Sequence, residues 1–139
     1  MKAIYVCLMV IWGTFIDISA QSLSVEDSLK FCQEEISDEV FSRMMGKSYK
    51  EECTTPREEL RYLRVLHYNK VGEELQGELV CHKDIADDLL AIFRELYQAK
   101  YPIERMVLID EYDADDEASM RANNTSAFNF RKASGMRTL

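Results

Sequence analysis

The stretch Asp84-Ile85-Ala86-Asp87-Asp88-Leu89-Leu90-Ala91-Ile92-Phe93-Arg94-Glu95-Leu96-Tyr97-Gln98-Ala99-Lys100 decides the fold. Ile85, Leu89, Leu90, Phe93, Leu96 and Tyr97 recur at helical spacing and share one face, with Asp87, Asp88, Arg94 and Glu95 opposite. The spacing predicts one long helix from Asp84 to about Lys100, ended by Pro102, whose ring cannot continue a helix. A helix with a single apolar face must cover something. Upstream of it, Glu59 to Tyr68 is rich in β-formers, Asn69 to Gly72 reads as a turn, and Leu75 to Cys81 returns as the second arm of a hairpin. Downstream, Ile103 to Ile109 carries the apolar run Met106-Val107-Leu108-Ile109, which predicts a central strand.

Further toward the amino terminus, Ser24 with Asp27 makes a capping-box pattern. It predicts a helix with Val25, Leu29, Cys32 and Ile36 on its apolar face. Ser37, followed by Asp38 and Glu39, predicts a second helix carrying Val40, Phe41, Met44 and Met45, with Gly46 closing it. Helices, hairpin, long helix and strand in this order give an α+β class.

The 139 residues fit one domain, and a net charge of −8 argues against a nucleic-acid surface. Met1-Lys2, the apolar run Ala3 to Ile16, and Ile18-Ser19-Ala20 before Gln21 have the plan of a secretory signal peptide over residues 1–20. The run is short for a membrane-spanning helix, which needs roughly 20 apolar residues. Membrane contact is therefore expected only in transit. Export leaves Cys32, Cys53 and Cys81 in an oxidising compartment, where one disulfide is allowed and burial as small hydrophobes is the alternative.

Candidate chemistry concentrates late in the chain. The acidic run Asp110-Glu111-Tyr112-Asp113-Ala114-Asp115-Asp116-Glu117 lacks the Gly and Glu that a calcium loop needs at its sixth and twelfth positions. It is expected to be a solvated loop whose last acids cap a helix starting near Asp116. Gly46-Lys47-Ser48 has no upstream Gly at the phosphate-loop offset and follows a helix rather than a strand, which excludes that reading. His67 and His82 have no partner at metal-ligand spacing. Asn123 with Thr125 and Asn124 with Ser126 fit the N-glycosylation pattern, or else form a polar turn that bonds backbone and substrate.

Several short motifs occur in a fixed order. They are Gly46-Lys47-Ser48-Tyr49-Lys50 with Cys53, Leu60-Arg61-Tyr62-Leu63, Gly77-Glu78-Leu79-Val80, and Ile85 to Leu90 with Ile92 to Tyr97. Tyr101-Pro102-Ile103-Glu104, Ser119-Met120, Asn123-Asn124-Thr125-Ser126 and Phe128-Asn129-Phe130-Arg131 follow. In this order they resemble the D-alanyl-D-alanine carboxypeptidase-like zinc peptidases of peptidoglycan, related to phage L-alanyl-D-glutamate endolysins and D-Ala-D-Ala dipeptidases. The resemblance runs from about Ile36 to Arg131.

It implies a hedgehog-type fold, a zinc cofactor, peptidoglycan stem peptides as substrate, and export to the periplasm or the outside of a bacterial cell. The family's zinc ligands lie in a His-x-x-Gly-x-Ala-x-Asp motif and a later His, and neither is present in this sequence. Residues 21–139 are therefore expected to be the amino-terminal portion of a single peptidase domain, truncated before the metal-ligand motif. On that expectation the chain alone holds no zinc and is inactive. The alternative is a non-catalytic peptide-binding module or a degenerate fragment. By the resemblance, Arg131 faces the scissile carbonyl and stabilises the oxyanion, with a salt bridge to the acidic loop as its alternative role. Ser126 and Asn129 are the weaker candidates for lining the cleft.

Overall fold

The computed structural model describes residues 30–131. Within them lies a three-stranded antiparallel sheet in the order β1 (Cys32–Glu35), β2 (Leu60–Tyr68), β3 (Glu74–His82). It is accompanied by three helices, α1 (Asp38–Met44), α2 (Ala86–Gln98) and α3 (Asp116–Arg121). The hairpin closes through Asn69, whose Oδ1 accepts from the N–H groups of Val71 and Glu73. Gly72 supplies the left-handed φ of +84° that the turn needs.

Because side chains alternate across a strand, β2 and β3 offer two faces. Leu63, Val65, Leu79 and Cys81 face Phe31, Ala86, Leu90 and Phe93, so the long helix covers that side. Leu60 and Val80 meet Ile36, Val40, Met44 and Leu108 on the other. Each fully buried Leu, Val or Phe contributes roughly 1.5–3 kcal/mol, and these two clusters hold most of the apolar side chains that the periodicity marks.

The structure corrects the sequence reading in two places and details a third. Cys32–Glu35 is a strand, not the end of a helix; the start of that expected helix, at Ser24 and Asp27, lies outside the described residues, as does the expected signal peptide. Cys32 stands opposite Arg64 and Glu35 opposite Arg61, and the Glu34 carboxylate takes the Arg64 guanidinium. The edge of β2 thus recruits a segment whose own helical preference is slight.

The long helix ends at Gln98, close to its expected end, and its closure is made before Pro102 is reached. Lys100 turns left-handed at φ +52°, and the Tyr101 N–H reaches the Leu96 carbonyl oxygen, so the helix is closed before the proline.

Finally, Ile103 to Ile109 is not a central strand. The Ile103 N–H bonds the Tyr68 carbonyl oxygen, and the Glu78 N–H bonds the Met106 carbonyl oxygen. The segment therefore runs as a strap from β2 across to the outer edge of β3. It can do so because Gly77 has no side chain: a Cβ there would stand 2.7 Å from Met106 Cβ. Met106 is buried in one cluster and Leu108 in the other.

Candidate functional site

Past the strap the chain makes a short 3-10 turn, Ile109–Tyr112, and enters α3. Asp115 caps α3 through its Oδ1, which accepts from the Glu117 and Ala118 N–H groups, as the acidic run suggested. Asp110 departs from that reading. It is buried, and its carboxylate accepts the Ser48 N–H at 2.9 Å. Lys47 Nζ bonds the Asp110 carbonyl oxygen at 2.9 Å and the Asp113 carboxylate at 2.9 Å. Lys47 and Ser48 therefore clamp the acidic loop to the turn that follows α1.

A second clamp lies beside it. The Glu78 carboxylate receives Arg43 at 2.5 Å and the Tyr62 hydroxyl at 2.6 Å, and Arg43 also holds Glu111 at 2.8 Å. Burial raises the Glu78 carboxyl, but the bonds from Arg43 and Tyr62 and the Leu108 N–H outweigh it and keep it below the usual carboxylate range. Burial and the bond to Glu78 push the Tyr62 hydroxyl well above its ordinary value.

Among the sequence-marked polar residues, Asn124 turns inward. Its Nδ2 donates to the Val107 carbonyl oxygen at 3.0 Å, and its Oδ1 accepts the Val107 N–H at 2.9 Å. One side-chain amide thus stands in for a neighbouring strand. This occupies the nitrogen that glycosylation would use, so the Asn124 pattern is spent on the fold. Asn123 is exposed and left-handed, at φ +50° just past α3.

Asn129 and Arg131 converge on one acid. Asn129 Nδ2 donates to Asp116 Oδ1 at 3.1 Å and to the Ala114 carbonyl oxygen at 3.2 Å. Arg131 Nη2 donates to the same Asp116 oxygen at 2.6 Å. The Arg131 side chain remains 67% exposed, so most of its five-donor fork is open to solvent. Asn129 Oδ1 is buried with no hydrogen-bond partner. Ser126 is half-buried near this cluster in sequence, and the side chains bonded to Asp116 are those of Asn129 and Arg131. The spacing Asn-x-Arg is visible in the sequence; the choice of Asp116 among seven neighbouring acids and polar groups is not.

The cysteines form no disulfide among the described residues. Burial pushes the Cys81 thiol up to about 11, so it stays protonated and inert at neutral pH.

No group of three His, Cys, Asp or Glu side chains converges among the described residues. His67 Nδ1 is taken up by the Ile103 carbonyl oxygen. His82 stands between two acids, with Glu59 3.3 Å from Nε2 and Asp84 3.4 Å from Nδ1, on opposite sides of the ring. These residues do not fit the donor set of a catalytic zinc. No helix of the described residues is long and apolar enough to cross a membrane. No family model, curated protein or solved structure matches the chain.

Proposed function

We propose that this chain forms the substrate-facing part of an exported zinc peptidase domain of the D-Ala-D-Ala carboxypeptidase-like family, with a hedgehog-type fold. Its substrate is the peptide stem of peptidoglycan, met in the periplasm or outside a bacterial cell. The observation that carries this reading is the pairing of Asn129 and Arg131 on Asp116. Asp116 fixes one nitrogen of the guanidinium, while the rest of the exposed fork can take a peptide carbonyl or carboxylate oxygen. A cation held in place beforehand is what stabilisation of an oxyanion requires. The order of motifs from Ile36 to Arg131 supports the same family.

The described residues supply binding and orientation. Zinc would come with ligands from elsewhere than these residues, so the chain by itself is proposed to bind peptide without cleaving it. That behaviour is shared with the second reading, a non-catalytic peptide-binding module.

Titration of the chain with diacetyl-Lys-D-Ala-D-Ala, followed by NMR, tests the proposal. Saturable shifts at Asn129 and Arg131 are expected, lost in Arg131→Ala and absent with the L-Ala-L-Ala peptide. Equal binding of both peptides, or binding indifferent to Arg131→Ala, overturns it. Retention of one zinc per chain through gel filtration overturns the statement that these residues hold no metal.

A further inference from the structure

Antiparallel pairing turns the backbone groups of alternate residues toward opposite edges of a strand. In β3 the Glu78 N–H points to the outer edge, where it meets the Met106 carbonyl oxygen. The N–H and C=O of Gln76, two residues earlier, point to the same edge, and no backbone group of the described residues bonds them there. β3 is the terminal strand of the sheet. Where the strap departs from it, a cleft of about 550 Å³ opens, with Leu75, Gln76, Arg105, Val107 and Tyr112 in its walls.

His67 lines the same cleft although the residue is only 3% exposed. Its Nδ1 lies 2.7 Å from the Ile103 carbonyl oxygen. A carbonyl can only accept, so Nδ1 carries a proton, and in the tautomer this selects Nε2 is an acceptor. Nε2 has no protein partner among the described residues. Gly77 permits this arrangement, since the space above it is filled by Met106 and the His67 ring edge.

We propose that this cleft binds an extended peptide, which adds to β3 at Gln76 as a further strand and gives one additional N–H to His67 Nε2. The occupant is a peptide backbone because the open groups are one strand-type N–H and C=O pair and one acceptor. Its side chains are uncharged. The cleft's acids are already engaged: Glu104 accepts the Lys70 N–H and Glu111 holds Arg43, while Arg105 donates to the Tyr112 hydroxyl. An apolar side chain would rest on Leu75, which is 39% exposed, and on Val107. This site does not depend on Arg131.

The probe is acetyl-Ala-Val-Ala-amide, which has neither a D-residue nor a free carboxylate. Expected are saturable NMR shifts of the Gln76 N–H and of the His67 Nε2 nitrogen. The peptide N-methylated at every amide should bind at least about tenfold more weakly, a loss of about 1.4 kcal/mol. Gln76→Pro removes the outward N–H at an edge position where proline is tolerated. That variant should lose binding while its thermal unfolding stays close to that of the parent. The proposal is overturned by a lack of saturable shifts at Gln76, by equal binding of the methylated peptide, by unchanged binding in a folded Gln76→Pro variant, or by shifts confined to Asp116, Asn129 and Arg131. Only the last of these outcomes bears on the proposed stem-peptide site, which Arg131→Ala tests separately.

Discussion

The strap and the Asp116 cluster use the same kinds of residue in opposite ways. Against the strap, polar groups turn inward: Asn124 bonds the Val107 N–H and C=O through the two ends of its amide, and just past the strap Asp110 spends an oxygen on the Ser48 N–H. At Asp116 the Arg131 side chain turns outward and stays 67% exposed, and its bond is to a partly exposed acid. A hydrogen bond that satisfies buried backbone is hard to give up, because the orphaned group costs roughly 1–3 kcal/mol. An exposed ion pair is worth about 0–1 kcal/mol and exchanges readily with solvent or ligand. The first region is therefore scaffold, and the second is available for binding.

The strongest way to break this contrast is to loosen the strap. Met106 is fully buried between the hairpin and the long helix. Met106→Ala should cost roughly 2–5 kcal/mol, from lost burial and the cavity left behind, read as a lower urea midpoint. Asn124→Ala comes next. It strands both the N–H and the C=O of Val107, for an expected loss of about 2 kcal/mol. A loss below about 0.5 kcal/mol in Asn124→Ala would place Asn124 with the exposed polar residues instead.

These two residues also show what the sequence could and could not reveal. The long helix and the hairpin were legible because each repeats its apolar period over many residues, and Leu90 and Phe93 are buried where the helical spacing puts them. The strap was not. Met106 to Ile109 is as apolar as a central strand, but one missing side chain at Gly77 on another element lets it cross the sheet edge rather than pair along it. Cys32–Glu35 was misread for a related reason: four residues carry too little pattern to outweigh a waiting strand edge. In the candidate site, Asn129 and Arg131 were marked by sequence, but their shared partner Asp116 depends on the fold, and His67 gained its meaning only when the Ile103 carbonyl oxygen fixed its tautomer.

The Arg43–Glu78–Tyr62 clamp lies between the two extremes, since it is charged yet half-buried. The Glu78 carboxyl is held below its unfolded value, so its contribution to stability is full above the ordinary carboxylate range and is lost as pH falls through the folded value. Urea midpoints should therefore decline as pH falls from about 5 into the acid range. Glu78→Gln should cost roughly 1.5–3 kcal/mol at neutral pH, with its deficit shrinking on acidification. A deficit that stays constant between neutral and acid pH would mean that shape, and not charge, holds the clamp.

The smallest expected effect on stability is at Arg131, and it sharpens the contrast most. Arg131→Ala removes one exposed ion pair and should shift unfolding by less than about 0.5 kcal/mol. Asp116→Asn should behave similarly, because the amide can still accept from Asn129 and Arg131. If the cluster exists to hold a peptide, the two variants must part company in binding. Arg131→Ala removes the cation itself, whereas Asp116→Asn leaves it in place but less firmly aimed. Affinity for diacetyl-Lys-D-Ala-D-Ala should then fall in both, and further in Arg131→Ala. Two variants equally stable and equally able to bind would leave Arg131 as one half of a surface salt bridge, and the difference between scaffold and site would have to be sought at the β3 edge instead.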